Sequence, residues 1–100
     1  MELGHTWQHD LVKVLNTLKP SGQIFWLWGK KATGKSYFCS YMIEKLGRDV
    51  IGYVCVGNPD NVEVTLKSIN NKKFIFIESN YHPTQNYAQR LGLERIIHCT

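Results

Sequence analysis

The chain has 100 residues, of which 43% are hydrophobic and 12% aromatic, with twelve Lys and Arg against eight Asp and Glu. This length allows one compact domain, and the apolar share excludes a disordered polar chain. No apolar run is long enough to cross a bilayer, and the first residues lack the features of a signal peptide, so we expect an intracellular protein. The net charge of +4 suits contact with a polyanion.

The first part of the chain predicts a helix, a strand and a second helix. Apolar residues recur over 6–18 in steps of three and four, which is typical of an amphipathic helix, and Thr6 is its expected N-cap. Turn residues at 20–22 end this helix. A continuous apolar run at 24–28 predicts a strand buried on both faces, as in a parallel sheet. The helical pattern resumes over 35–46.

From residue 50 onward, apolar runs and helical patterns continue to alternate. The predicted elements are a strand at 50–56, a short helix from Asp60 that includes Val62, Leu66 and Ile69, a strand at 74–77, a helix from Pro83 to Leu91, and a strand at 96–99. This order predicts a three-layer α/β domain with an N-terminal helix and a mostly parallel sheet of about four strands. Residues 1–100 would form this single domain, either complete or as the truncated core of a larger one.

A phosphate-binding motif lies between the first strand and the second helix. Residues 29–36 read GKKATGKS, which has the spacing G-x-x-x-x-G-K-[ST] of the loop in P-loop NTPases. In such loops the backbone N–H groups turn inward, Lys35 would contact the β- and γ-phosphates, and Ser36 would be a ligand of Mg²⁺. We therefore predict a P-loop NTPase fold that binds ATP and Mg²⁺. The predicted contacts are Gly29, Lys30, Lys31, Ala32, Thr33, Gly34, Lys35 and Ser36. Lys30 and Lys31 either attract the anion or point into solvent.

The carboxylate that would assist the metal is expected where another buried strand ends. Glu78 follows the strand at 74–77 and is the predicted metal ligand. Ser79 stands where many such sites carry a second carboxylate, and a hydroxyl cannot accept a proton from water as a carboxylate does. Asn80 could hold a water molecule or a phosphate oxygen. Asp60 is a rival acid, although capping of the following helix also explains it. The predicted catalytic residues are Lys35, Glu78 and Asn80.

Several segments resemble the helicase domains of superfamily 3, the ATPase engines of replication initiator (Rep) proteins in small DNA viruses. These segments are Thr6-Trp7-Gln8 at the start of a helix, residues 24–29, Thr33-Gly34-Lys35-Ser36, and the helix from Phe38 to Met42. The resemblance covers most of the chain and is dense over 6–46. It implies an AAA+-like sheet, ATP bound between the subunits of a ring, translocation on single-stranded DNA, and a location in the host nucleus.

The resemblance leaves two assignments open for residues 74–80. In the first, Glu78 is the Walker B acid, and its distance from the loop fits that family position. In the second, the segment Ile77 to Pro83 is a later motif in which Asn80 is the sensor. The Walker B strand would then be lost or would have degenerated into residues 50–60.

The predicted function is an ATP- and Mg²⁺-binding, helicase-type ATPase domain acting in viral-type DNA replication. Its expected partners are single-stranded DNA and further copies of the chain, without a membrane. One alternative is an accessory protein that binds nucleotide or DNA but does not hydrolyse ATP, and another is a small-molecule P-loop kinase.

The candidates for stacking on bases are Trp7, Trp26, Trp28, Tyr81 and Tyr87, of which the two strand tryptophans are expected in the core.

Overall fold

The computed structural model describes residues 2–56, 66–67 and 71–100. Strands and helices alternate through these residues after an N-terminal helix. The elements are α1 (Thr6–Thr17), β1 (Gln23–Trp28), α2 (Lys35–Leu46), β2 (Ile51–Val56), β3 (Phe74–Ser79), α3 (Gln85–Leu91) and β4 (Leu93–His98). The predicted helices at 6–18 and 35–46 and the predicted strands at 24–28, 50–56 and 74–77 are confirmed to within two residues at each end.

Two predicted boundaries are wrong. The N-cap of α1 is His5 rather than Thr6, because the Gln8 side chain accepts hydrogen bonds from the backbone N–H groups of Gly4 and His5, both at 3.0 Å. The last strand begins at Leu93 rather than at residue 96. Its charged first half does not read as a buried strand, but β4 lies at the edge of the sheet, where Glu94 and Arg95 are exposed to solvent.

The predicted helix from Asp60 lies almost entirely outside the described residues. Of that segment, the structure describes Leu66 and Lys67, which are helical, and Leu66 packs against the sheet. The predicted α3 is confirmed: the Thr84 hydroxyl caps it by accepting from Tyr87 N, and Gly92 ends it in the left-handed conformation. None of the helices in the described part of the chain is long and apolar enough to cross a membrane.

The four strands form one sheet in which every neighbouring pair is parallel, in the order β2-β3-β1-β4. The predicted parallel sheet is therefore confirmed. In this order β1 is an interior strand with β3 on one side and β4 on the other. The residues at the carboxyl ends of the strands meet at one edge, where Glu78 of β3 is in register with Leu27 of β1 and with Cys55 of β2.

Helices cover both faces of the sheet, which gives the three predicted layers. One face packs against α1 and α2, and its core holds Trp7, Leu11, Phe25, Phe38 and Phe76 among others. The opposite face packs against α3 through Trp26, Ile77 and Tyr87. Because β1 and β3 are buried on both faces, their sequences are continuous apolar runs rather than alternating ones.

Candidate phosphate-binding site

The loop at residues 29–34 connects the carboxyl end of β1 to the first turn of α2. Gly34 is the N-cap of α2 and has the left-handed conformation, with φ of 84° and ψ of 17°. Ala32 also has a positive φ, at 63°, which a non-glycine residue adopts at a cost in free energy. The first N–H groups of α2 have no partner within the helix, so this end of α2 is suited to an anion.

The Lys35 side chain is almost fully buried beneath the loop, with 6% of its surface exposed. Its ammonium group donates to the carbonyl oxygens of Gly29 at 2.7 Å and Lys30 at 2.5 Å, and contacts the Thr33 hydroxyl at 3.2 Å. All three are neutral oxygens. A buried ammonium surrounded by neutral acceptors favours an anionic partner, because charges are costly to bury unless they are paired.

The first turn of α1 forms hydrogen bonds to the end of the loop. Trp7 donates its indole N–H to the carbonyl oxygen of Thr33 at 2.8 Å, and Gln8 donates its amide N–H to that of Gly34 at 2.9 Å. Gln8 is fully buried, and a Cβ added to Gly34 would lie only 2.5 Å from its side-chain nitrogen. Cys99 lies beside the other end of the loop: its backbone N–H donates to the carbonyl oxygen of Trp28, and its own carbonyl oxygen would overlap a Cβ at Gly29.

These supporting roles do not follow from the periodicity of the sequence, which places Trp7 on the apolar face of α1 and says nothing about Gln8. The sequence does contain a local signal for Gln8. Gln8 stands three residues after His5, which is the spacing at which a glutamine side chain returns to the N-cap backbone of a helix. That spacing would predict its contacts with the backbone of residues 4 and 5, but not its contact with the loop.

The structure brings Ser36 and Glu78 together. The Ser36 hydroxyl donates to Glu78 Oε1 at 2.6 Å, although the two residues are 42 positions apart in the chain. Glu78 is half-buried at the end of β3, and Ser36 is exposed in the first turn of α2. Hard oxygen ligands of this kind suit Mg²⁺, which usually binds one or two carboxylates together with phosphate oxygens and water. The residues present therefore fit a magnesium ion whose remaining ligands would be oxygens of a bound phosphate and water.

Two further side chains from β2 contact Glu78. The Tyr53 hydroxyl donates to Glu78 Oε1 at 3.0 Å, and the Cys55 thiol lies 3.5 Å from Oε2. Desolvation raises the pKa of Tyr53 well above its ordinary value, and the Glu78 carboxylate raises it further. Desolvation and the same carboxylate also raise the pKa of Cys55. Both groups therefore remain protonated donors to the carboxylate at neutral pH.

A pocket of about 320 Å³ opens above the loop. Most of the predicted site residues line it, and so does Tyr37, which the motif does not predict. The lining residues are Lys31, Ala32, Thr33, Gly34, Lys35, Ser36, Tyr37, Glu78 and Asn80. Gly29 and Lys30 lie outside the lining, and they contribute the carbonyl oxygens that hold Lys35.

The residues after Glu78 differ in their orientation. Asn80 is exposed and lines the pocket. Ser79 is buried, with 3% of its surface exposed, and its hydroxyl accepts a hydrogen bond from the backbone N–H of Tyr81 at 3.1 Å. The Ser79 hydroxyl therefore forms a hydrogen bond within the turn that follows β3. The rival acid Asp60 lies outside the described residues.

Most of the aromatic side chains considered for base stacking are engaged within the fold. Trp7 and Trp26 are buried, and the Tyr87 ring packs edge-on against Trp26 with centroids 6.0 Å apart. Trp28 stacks on His98 with ring centroids 3.9 Å apart. Tyr81 is the one that faces solvent, with 65% of its surface exposed.

The described residues contain no cluster of three or more His, Cys, Asp and Glu side chains that could hold a metal ion by themselves. A cation at this site would therefore depend on Ser36, Glu78, a phosphate group and water. What the geometry offers to an anion is a buried ammonium and a helix N-terminus, with a carboxylate beside them. Comparisons of the chain with protein-family models, with curated proteins and with solved structures found no match.

Proposed function

We propose that the chain binds ATP with Mg²⁺ at the loop formed by residues 29–36 and hydrolyses it, as a P-loop ATPase of the helicase type. The observation that carries this proposal is the 2.6 Å hydrogen bond between Ser36 and Glu78. It joins the last residue of a phosphate-loop motif to a carboxylate on the neighbouring strand. A glycine-rich turn without a ligand needs neither the buried ammonium of Lys35 nor this carboxylate beside it.

Each residue of the site has a role in this proposal. Lys35 exchanges its contacts with loop carbonyl oxygens for the β- and γ-phosphates, and the N-terminus of α2 binds the same phosphates through its backbone N–H groups. Ser36 and Glu78 would hold the cation, directly or through water. When bound, Mg²⁺ neutralises charge that develops on the phosphate oxygens. The proximity of Ser36 to Glu78 supports the assignment of Glu78 as the Walker B acid.

Hydrolysis also needs a group that orients the attacking water. Asn80 lines the same pocket as Glu78 and carries an amide that can hold a water molecule. Ser79 does not serve this purpose, because its hydroxyl faces the backbone of Tyr81. With Glu78 as the nearest described carboxylate, turnover is expected to be slow in the chain alone.

The helicase assignment rests on the resemblance of residues 6–46 to superfamily 3 domains of viral Rep proteins, together with the net charge of +4. In that setting single-stranded DNA and further copies of the chain are the partners, and ATP hydrolysis is coupled to movement on DNA. Tyr81, which faces solvent close to Asn80, is the aromatic residue best exposed to stack on a base.

The test is an ATPase assay with and without single-stranded DNA, on the wild type, Lys35→Ala and the control Lys13→Ala. Lys13 is an exposed lysine of α1 away from the pocket. We expect DNA-stimulated turnover in the wild type and in Lys13→Ala, and none in Lys35→Ala. Failure of the wild type to bind any nucleoside triphosphate in calorimetry at millimolar concentration would overturn the proposal.

A second candidate function is a nucleotide-dependent accessory protein that binds ATP without hydrolysing it. The orientation of Ser79 favours this candidate, since no second carboxylate lies beside Glu78 among the residues that line the pocket. Tight binding of Mg-ATP without turnover, with and without DNA, would select it over the ATPase.

A further inference from the structure

Tyr53 reaches the site from a strand that carries no part of the motif. It lies on β2, the strand on the far side of β3 from β1. Its hydroxyl donates to Glu78 Oε1 at 3.0 Å, so a side chain on β2 and a side chain on α2 converge on the same carboxylate oxygen. The ring of Tyr53 is half-buried and packs against the core formed with α1 and α2.

The two hydroxyl groups that share Glu78 Oε1 differ in their freedom. Ser36 is exposed in the mouth of the pocket, and its oxygen is the atom that a cation at the loop would use. The ring of Tyr53 packs against the core, Tyr53 does not line the pocket, and its hydroxyl donates to the carboxylate. Of the two donors, Tyr53 is the one whose ring is held by the core, so its contact with Oε1 would be kept if a cation took the Ser36 oxygen.

The structure assigns Tyr53 as a positioning residue, which holds the Glu78 carboxylate toward the cation site through its hydrogen bond to Oε1. This inference rests on the proposed binding of Mg-ATP at the loop. With Oε1 held by Tyr53, the second oxygen has the weak thiol donor of Cys55 at 3.5 Å and keeps lone pairs for the cation or for a water molecule bound to it. Partners of this kind, which orient a metal ligand without touching the metal, change metal affinity or activity by about 10- to 100-fold when they are removed.

The experiment measures ATP binding by calorimetry over a series of Mg²⁺ concentrations and in EDTA, for the wild type, Tyr53→Phe and Tyr41→Phe. Tyr41 is also a half-buried tyrosine, on α2 and away from the pocket, so its variant controls for loss of a hydroxyl. We expect equal affinities in EDTA. The Mg²⁺ concentration at half-maximal effect should rise about tenfold in Tyr53→Phe and should not change in Tyr41→Phe.

A second pair of variants separates positioning from a structural role. In a Glu78→Gln background, Tyr53→Phe should have no additional effect on the Mg²⁺ dependence, because the carboxylate it orients is gone. Wild-type Mg²⁺ dependence in Tyr53→Phe, or an equal effect in the Glu78→Gln background, would overturn the inference while leaving the proposed function intact. Absence of Mg²⁺-dependent ATP binding in the wild type would overturn both.

Discussion

The side-chain amide of Gln8 donates a hydrogen bond of 2.9 Å to the carbonyl oxygen of Gly34, joining the first turn of α1 to the end of the loop at residues 29–34. The same side chain accepts from the backbone N–H groups of Gly4 and His5. Gln8 is fully buried, so its polar atoms depend on these partners. The conformation of the loop is therefore coupled to the presence of α1.

Replacement of Gln8 by alanine should destabilise the protein by about 1–3 kcal/mol, because it removes the three hydrogen bonds that this fully buried side chain makes with the backbone of Gly4, His5 and Gly34. The free energy of unfolding in urea measures this loss. Gln89→Ala is the control, since Gln89 is an exposed residue of α3, and its change should stay within about 0.5 kcal/mol. Equal losses in the two variants would contradict the role given to Gln8.

Replacement of Gly34 by alanine should cost more than the same change at Gly92. Both glycines are left-handed, with φ of 84° and 65°, so both variants carry a backbone cost of about 1–2 kcal/mol. The added Cβ meets nothing within 4 Å at Gly92, whereas at Gly34 it lies 2.5 Å from the Gln8 nitrogen. We expect Gly34→Ala to be less stable than Gly92→Ala by about 1 kcal/mol in urea unfolding, and to lose ATP binding in calorimetry, which Gly92→Ala should retain.

Replacement of Glu78 by glutamine should separate binding from turnover. The amide keeps the size of the side chain but removes the negative charge that Ser36 and Tyr53 contact. We expect ATP to bind in EDTA as it does to the wild type, while the steady-state hydrolysis rate falls about 100-fold or more, because the site loses the carboxylate that would hold the cation. Glu44→Gln, on the exposed surface of α2, should hydrolyse ATP at the wild-type rate. Undiminished hydrolysis in Glu78→Gln would remove Glu78 from the catalytic residues.

The buried thiol of Cys99 predicts a loss of stability at alkaline pH. Burial raises the pKa of Cys99 from 9.0 to about 12. Between these values the unfolded chain loses a proton that the folded chain keeps. The free energy of unfolding therefore falls as the pH rises from 9 toward 12. At pH 10 the loss from this thiol is about 1 kcal/mol.

Comparison with Cys99→Ala isolates this thiol from the other groups that titrate at high pH. The free energy of unfolding is measured in urea at pH 7 and at pH 10 for both proteins. The wild type should lose about 1 kcal/mol more between the two pH values than the variant does. An identical loss in both would mean that the thiol ionises at its ordinary pKa in the folded chain.

The sequence predicts those features that depend on burial and local turns. The apolar runs of β1 and β3 are recognisable because both strands are covered on both faces by helices, and α3 is recognisable from Thr84 and Gly92 at its ends. The start of β4 is not recognisable from the sequence, because an edge strand accepts charged residues such as Glu94 and Arg95 that would not be tolerated inside the sheet.

The sequence predicts the candidate site residue by residue within each segment, but it does not predict the contacts between segments. The loop follows from its motif, and Glu78 follows from its place after a buried strand. The contact of Tyr53 with Glu78 requires β2 to lie beside β3, and the alternation of strands and helices does not specify that order. The contact of Gln8 with Gly34 depends on how α1 packs against the sheet, which its periodicity predicts only as a face.

The hydrogen bonds from Trp7 and Gln8 to the loop also have a consequence for local opening of the native protein. Opening of the first turn of α1 releases the carbonyl oxygens of Thr33 and Gly34, and collapse of the loop releases the two side chains in turn. We therefore expect the two segments to exchange their amide hydrogens as one cooperative unit. A phosphate compound bound above the loop would slow exchange in α1, on the side of the loop that the ligand does not touch.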